Sequence, residues 1–209
     1  MIIKGKHFLL LILFLLLFSL NIFSMENNLK INLGKNINSN SNEYAPVISP
    51  DGKTLYFCRQ GYSGNLGYSS FKDDQDIWVS YKNKENAWEQ AINIGTPLNN
   101  KYPNAVCSVS PDGKYLLVLG NYNKEGSINS GLSYSFKNNN YWSYPQKINI
   151  DSFYNHSIYA HFNLANNGKI LLMSLEREDS FGNLDLYVSF LKNDSSWTIP
   201  KNLGNIINT

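Results

Sequence analysis

The stretch Ser49-Pro50-Asp51-Gly52-Lys53 returns unchanged as Ser110-Pro111-Asp112-Gly113-Lys114, and a decayed copy follows as Ala165-Asn166-Asn167-Gly168-Lys169. Proline pre-sets a backbone φ that suits a turn, and glycine supplies a positive φ at no steric cost. Each copy therefore predicts a tight turn between two antiparallel strands. Because the turn recurs, the chain contains an internal repeat.

Two further marks follow each turn in the same order. Asp76-Ile77-Trp78-Val79-Ser80 matches Asp185-Leu186-Tyr187-Val188-Ser189, and Gly131-Leu132-Ser133-Tyr134-Ser135 is a weaker middle copy. The last mark is a tryptophan followed six residues later by isoleucine or leucine, and it occurs at Trp88, Trp142 and Trp197. The steps between these tryptophans are 54 and 55 residues, so the chain carries three repeats of nearly constant length.

Each repeat has the layout of a four-stranded antiparallel sheet. Strand a precedes the turn, strand b follows it, strand c carries the Asp-Ile-Trp-Val-Ser mark, and strand d starts at the tryptophan. Only 16% of the residues are charged, and asparagine, tyrosine, serine and glycine are abundant, which favours strands and turns over helices. We therefore predict an all-β fold with no long helix after residue 24.

A repeat of this length with four short strands is typical of a β-propeller blade. The repeats resemble the WD40-like repeat of TolB-type periplasmic proteins and other bacterial envelope proteins. That pattern runs Ser-Pro-Asp-Gly-Lys, an apolar strand, Asp-Ile-Tyr/Trp-Val-Ser, and Trp-Ser-x-Pro-x-Asn-Leu-Gly. The resemblance covers about residues 32–208, although blade one lacks the proline, blade two the middle aspartate and blade three the turn aspartate. It implies a propeller scaffold, which serves many functions.

We predict blade 1 at about residues 43–95, blade 2 at about 102–150 and blade 3 at about 156–204, with an extra d-type strand at about 31–34. Propellers usually have ~4–8 blades, so three should not close a ring. The outer faces of blades one and three are expected to lack a partner. Two explanations stay open: a shortened or fragmentary larger propeller, or self-association that closes a ring of six blades.

Residues 1–24 have the features of a secretory signal peptide. Lys4 and Lys6 precede a continuous apolar run of 13 residues from Phe8 to Leu20, and Ser24 is a small residue suited to the position before cleavage. The alternative is an uncleaved anchor. Without these two lysines the 18 basic residues fall to 16 and balance the 16 acidic ones, so nothing favours nucleic-acid binding. We predict export to the periplasm, the cell envelope or the extracellular space.

Catalytic and metal-binding patterns are scarce in the sequence. No Gly-x-Ser-x-Gly motif occurs. His156 and His161 are an odd number of residues apart, so on one strand they would lie on opposite faces and could not share a metal ion. The acidic cluster at residues 73–76 could suggest calcium, but we interpret it as a solvated loop in which Asp76 holds the start of strand c. No cofactor and no metal is predicted.

Cys58 and Cys107 are the only cysteines. Export would permit a disulfide between them, but we favour two free, buried thiols that pack as small apolar side chains.

The chain contains two arginines, Arg59 and Arg177, and each follows strand b. In a propeller the b–c and d–a connections share one face, where Tyr102, Tyr154 and His156 would join them. One interpretation is an anion clamp on that face. The other is local ion pairing, for Arg177 with one of the acidic residues Glu176, Glu178 and Asp185.

From these features we expect a non-catalytic, exported propeller that binds a protein or peptide at the cell envelope, with no cofactor. Its predicted binding residues are Arg59, Tyr102, Tyr154, His156 and Arg177. The alternatives are a fragment of a larger envelope propeller, or a propeller-fold hydrolase acting on glycans or peptides, which would need convergent carboxylates or a nucleophile.

Overall fold

The computed structural model describes residues 30–68, 74–123, 128–139 and 141–209. The predicted signal segment lies outside these residues, so export stays a prediction. The chain divides into two units, residues 1–32 and 33–209, and all described strands belong to the second. In the described part of the chain, no helix is long and apolar enough to cross a membrane.

The second unit consists of three antiparallel sheets with four, five and four strands. The first sheet contains β1 (Asn42–Ile48), β2 (Thr54–Gln60), β3 (Gln75–Tyr81) and β4 (Ile92–Asn93). The second contains β5 (Val106–Val109), β6 (Tyr115–Tyr122), β7 (Ile128–Asn138), β8 (Tyr141–Trp142) and β9 (Gln146–Lys147). The third contains β10 (His161–Leu164), β11 (Ile170–Leu175), β12 (Asp185–Phe190) and β13 (Lys201–Asn202). The described residues thus confirm the predicted all-β class with one antiparallel sheet for each repeat.

The recurring Ser-Pro-Asp-Gly-Lys stretch forms the turn between the first two strands of its sheet. Asp51 Oδ1 accepts hydrogen bonds from the Ser49 hydroxyl at 2.6 Å and from the Lys53 amide at 3.0 Å. The Ser49 hydroxyl, together with the Lys53 amide, holds the pKa of Asp51 below its usual value. Gly52 has φ +69°, which a residue with a side chain rarely adopts. The aspartate is therefore a turn residue.

Each sheet has two faces that differ in what they contact. We call the face toward the next repeat the forward face and the other the rear face. In the first sheet Tyr56 and Ile77 lie on the forward face, whereas Phe57 and Trp78 lie on the rear face. Neighbouring residues alternate between faces because successive strand side chains point to opposite sides.

The sheets pack against one another in chain order. The forward face of the first sheet packs on Leu116 and Val118, which lie on the rear face of the second. The forward face of the second, including Leu117, packs on Leu171 and Met173 of the third. Two apolar cores result, one between each pair of consecutive sheets.

The rear face of the first sheet is covered by the chain itself, which corrects the expectation that both outer faces are open. Ile37 packs there with Phe57 and Trp78 and is buried. The Ala91 amide donates to Asn36 O at 2.8 Å and thereby holds this cover in place. The extra strand expected at about residues 31–34 is not formed, and residues 36–38 supply the contact instead.

The forward face of the third sheet is the open one. Leu172 and Leu186 are 39% and 44% exposed there, whereas Ile77, at the repeat position of Leu186, is fully buried in the first sheet. Ile207 shows the same contrast, because it is 56% exposed while its counterpart Leu98 is buried in the first core.

Strand d does not start at the tryptophan, contrary to the prediction. Trp88 instead bridges back to Lys82 and closes the hairpin after strand c, and β4 starts only at Ile92. Trp142 and Trp197 form the corresponding bridges with Lys137 and Leu191. Positive φ at Asn86, Asn139 and Ser195 makes these hairpin turns tight. Each tryptophan therefore pairs within its hairpin, before strand d begins.

Both cysteines are free thiols, as favoured from the sequence, but only Cys58 is buried and Cys107 is half-buried. Burial raises the pKa of Cys58 to about 11, so this thiol is protonated at neutral pH. We therefore expect Cys58 to resist a maleimide probe in the folded protein and to react after unfolding in denaturant. Mass spectrometry of the labelled peptide checks this, and rapid native labelling of Cys58 would contradict the described packing.

Candidate binding surface

Two kinds of connection meet at one end of the sheets. Because consecutive strands are antiparallel, the loop between strands b and c lies at the same end as the linker from one sheet to the next. The linkers are residues 33–41, 94–105 and 148–160, which lead into β1, β5 and β10. We call this the loop end, and the end with the a–b and c–d turns the turn end. All five predicted binding residues lie at or beside the loop end.

Arg59 is buried inside the fold rather than presented to a ligand. Its side chain is 2% exposed, and Nε lies 2.8 Å from Glu43 Oε1. The Nη2 group donates to Ile37 O at 2.7 Å, and the guanidinium lies 4.2 Å from the centroid of the Trp78 ring and 4.7 Å from that of Tyr62. These contacts fasten the first linker to the first sheet.

Arg177 is held in a similar way in the third sheet. Its Nη1 donates to the carbonyl oxygens of Ser152 at 3.2 Å and Tyr154 at 3.4 Å. The guanidinium lies 3.8 Å from the centroid of the Tyr154 ring. Its acidic neighbour is Asp179 at 3.6 Å, rather than any of the three acids expected from the sequence. The local structural interpretation of this arginine is therefore the better one, with a different partner.

The second sheet has the same fastening with a different residue. The Tyr122 hydroxyl donates to Leu98 O at 2.8 Å and accepts from Asn104 Nδ2 at 3.0 Å. Tyr122 and Arg177 each stand nine residues after the turn glycine of their repeat. In all three sheets, a side chain near the end of strand b thus donates to a carbonyl of the preceding linker. Arg177 follows β11 as predicted, whereas Arg59 lies within β2 rather than after it.

Tyr154 and His156 form an exposed polar group with Glu178. The Tyr154 hydroxyl donates to Glu178 Oε2 at 2.6 Å, and His156 Nε2 lies 3.8 Å from Glu178 Oε1. The bond to Glu178 raises the pKa of Tyr154. Tyr102 lies on the preceding linker, where Lys101 Nζ is 5.3 Å from its ring centroid. The structure thus brings Tyr154, His156 and Arg177 together around the third sheet.

The same linker carries an apolar tip that was not predicted from the sequence. Ile158 is 90% exposed and Tyr159 is 64% exposed. Asn155 organises this tip, because its Nδ2 donates to Ser157 O at 2.9 Å and to Tyr159 O at 2.8 Å. Its Oδ1 accepts from the Glu176 amide at 2.7 Å, which ties the linker to the b–c loop. On that b–c loop, the side chain of Phe181 is 57% exposed.

One comparison could have revealed the tip from the sequence. Ile158 and Tyr159 stand at the repeat positions of Pro103 and Asn104, and Asn104 is fully buried. An isoleucine and a tyrosine that replace these residues on a polar linker are a departure from the repeat.

Asp76 of strand c fastens the b–c loop at this end. A solvated loop was expected here, but this aspartate is buried. Asp76 is buried and accepts from the Leu66 amide and Asn93 Nδ2, each at 2.6 Å. Asp74 is buried as well, whereas Asp73 lies outside the described residues. Among the residues that the structure describes, no three His, Cys, Asp or Glu side chains gather as a metal site requires.

The corresponding Asp185 in the third sheet has a pKa shifted in the opposite direction. Burial alone raises it, but hydrogen bonds from the amides of Phe181 and Gly182 and from Asn202 Nδ2 outweigh burial and leave the pKa below its usual value. Burial dominates at Asp76, so that pKa is raised. The neighbouring Asp74 carboxylate raises the pKa of Asp76 further, whereas hydrogen bonds outweigh burial at Asp185.

This difference predicts opposite pH dependences for two matched variants. Asp185→Asn should lower the free energy of unfolding by about 1–3 kcal/mol at neutral pH, since a buried amide loses its acceptor. The lowered pKa stabilises the fold above the ordinary value near 4, so the gap to the unmodified protein should shrink as the pH falls through the folded pKa. The raised pKa of Asp76 stabilises the fold below that value, so the gap for Asp76→Asn should widen on acidification. Urea denaturation at several pH values measures both, and gaps that change in the same direction would contradict the assignment.

Comparison with solved structures finds similarity to TolB from Acinetobacter baumannii. The two are 17% identical with a TM-score of 0.47, and the match covers 80% of this chain and 34% of that chain. The chain thus spans about a third of the length of the protein it matches. No family model and no curated protein matches it.

Proposed function

We propose that the chain is an exported, non-catalytic β-propeller protein of the cell envelope that binds a protein or peptide. Its three sheets act as propeller blades, and its binding surface is the loop end of the third sheet. The repeat and the packing of the sheets in chain order support the scaffold, and the signal segment predicted from the sequence supports export. The apolar tip described above supports the position of the surface.

The observation that carries this proposal is the ordered exposure of Ile158 and Phe181. An isoleucine side chain left in water forgoes roughly 1.5–3 kcal/mol of burial free energy. Its exposure on a hydrogen-bonded loop therefore favours a contact with a binding partner. Asn155 holds the loop in one conformation, which lowers the entropy lost on binding. Tyr154 and Glu178 place polar groups at the same end. An apolar centre with a polar rim is the usual anatomy of a protein interface.

Affinity capture from envelope extract with the tagged chain supplies the partner, which is then purified for titration. We expect the double variant Ile158→Ser with Phe181→Ser to weaken binding at least about tenfold, since central apolar anchors are each worth more than 1 kcal/mol.

The matched control is Tyr141→Ser with Ile199→Ser. These side chains are 66% and 55% exposed, and they belong to or follow the c–d hairpins at the turn end. The control should bind as the unmodified chain does. Equal weakening by the two double variants, or full binding by both, would refute the position of the surface.

A further inference from the structure

A cavity of about 370 Å³ opens between the second and third sheets, and its lining includes both the c–d hairpin of the third sheet and the start of the linker 148–160. Leu117 and Leu164 lie along it, and Trp197 belongs to its wall. Trp197 is itself buried in the second core. A volume in this range is typical of small-molecule sites.

The cavity exists because one repeat position changes from an aromatic to an aliphatic residue. Between the first and second sheets, the Tyr56 ring packs edge-on against Trp142 at 6.2 Å between centroids. Leu117 and Trp197 stand at the same repeat positions between the second and third sheets. Leucine lacks the ring that fills this space, so room remains beside Trp197.

Three aromatic rings line the cavity and support one another. The rings pack edge to face. The centroid of Tyr115 lies 6.5 Å from that of Tyr134 and 5.8 Å from that of Phe136, and the centroids of Tyr134 and Phe136 are 5.1 Å apart. Phe136 is 44% exposed and the two tyrosines are half-buried. An aromatic wall of this kind offers flat apolar faces to a ligand that has an apolar face of its own.

The polar lining carries both charges and both hydrogen-bonding senses. Lys147 contributes one positive charge and Asp194 one negative charge, while Asn149 and Ser196 contribute neutral groups. Asp194 Oδ1 already accepts from the Ser196 hydroxyl at 2.6 Å, which orients the carboxylate. The balanced charge disfavours an ionic ligand, and the mixture of donors and acceptors suits hydroxyl groups, which both donate and accept.

From the aromatic wall and the balanced polar lining together, we infer that this cavity binds a neutral carbohydrate. The C–H face of a pyranose ring would lie on the aromatic side chains, and its hydroxyls would meet Lys147, Asn149 and Asp194. The site is distinct from the proposed protein-binding surface, since neither Ile158 nor Phe181 lines the cavity.

Saturation-transfer NMR on the full chain tests this with a panel of methyl pyranosides and N-acetylglucosamine. Glucuronate serves as a charged probe and N-acetyltyrosine amide as an aromatic one. We expect transfer to at least one neutral sugar, at least tenfold weaker binding of glucuronate, and no competition by the tyrosine amide.

Two variants locate the binding. Leu117→Tyr restores the residue found at the same position in the first repeat, so it should fill the cavity and abolish sugar binding. Phe136→Ala removes an exposed ring, with little effect on the core, and should weaken binding at least tenfold. The control Tyr141→Ala lies outside the cavity lining and should bind normally.

The unmodified chain and the variants together decide the inference. Loss of sugar binding in both cavity variants with retention in the control supports it. No transfer to any neutral sugar, transfer that survives both cavity variants, or preference for the tyrosine amide would overturn it.

Discussion

Replacing Arg59 with alanine is expected to lower the free energy of unfolding by about 3 kcal/mol, because the substitution removes one member of a buried ion pair. Glu43 would lose its cation, Ile37 O would lose its donor, and the rings of Trp78 and Tyr62 would lose the guanidinium between them. The first linker would then be held less firmly over the rear face of the first sheet.

Urea denaturation followed by tryptophan fluorescence measures this loss. Lys84→Ala, at an exposed position of the first c–d hairpin, is the matched control and should change stability by less than about 0.5 kcal/mol. A loss below about 1 kcal/mol for Arg59→Ala would contradict this stabilising role of the guanidinium and would favour the alternative role as an anion clamp.

The open forward face of the third sheet predicts the second large effect, which is self-association. Burial of apolar surface contributes roughly 25 cal/mol per Å², and Leu172, Leu186 and Phe190 leave such surface in water. The rear face of the first sheet is already covered by Ile37, so the six-bladed ring expected from the sequence loses one of its two open faces. The forward face of the third sheet can instead pack against the same face of a second copy, which gives a two-fold dimer.

Light scattering at micromolar concentration measures the state. We expect a dimer, and we expect Leu172→Asp with Leu186→Asp to return a monomer, since charges are costly to bury without a partner. Tyr141→Asp with Ile199→Asp is the control and should stay dimeric. A monomer that melts cooperatively in the unmodified chain would show that the open face needs no cover.

The sequence predicted the turns and the order of strands well, for a local reason. Proline, aspartate and glycine around Gly52 set the backbone directly, and alternation along Tyr56 and Phe57 assigns their side chains to opposite faces. The cover at Ile37 was not foreseen, because it is a single isoleucine in an asparagine-rich segment. Its position, fifteen residues before the turn glycine like that of Leu98, was the available signal.

The candidate surface was harder to predict, because the two arginines were expected to face solvent on the grounds that arginine is rare in this chain and is charged. Arg59 and Arg177 drew attention as the only arginines, yet both carry out the fastening that Tyr122 performs in the second sheet. Hydrogen bonds to main-chain carbonyls leave no mark in composition, and the shared spacing of Tyr122 and Arg177 from the turn glycine joins two chemically different side chains. Ile158 was not predicted to be exposed, since an apolar residue is ordinarily assigned to a core and its departure from the repeat was the one signal in the sequence.

The central claim is that each repeat forms one antiparallel sheet in the same register, and backbone nuclear Overhauser effects test it most directly. Three cross-strand pairs occupy equivalent repeat positions: Tyr56 with Val79, Leu117 with Tyr134, and Leu172 with Val188. The account predicts cross-strand contacts in all three pairs. A register displaced by one residue in any sheet would place its forward-face residues on the rear face, and would contradict the account.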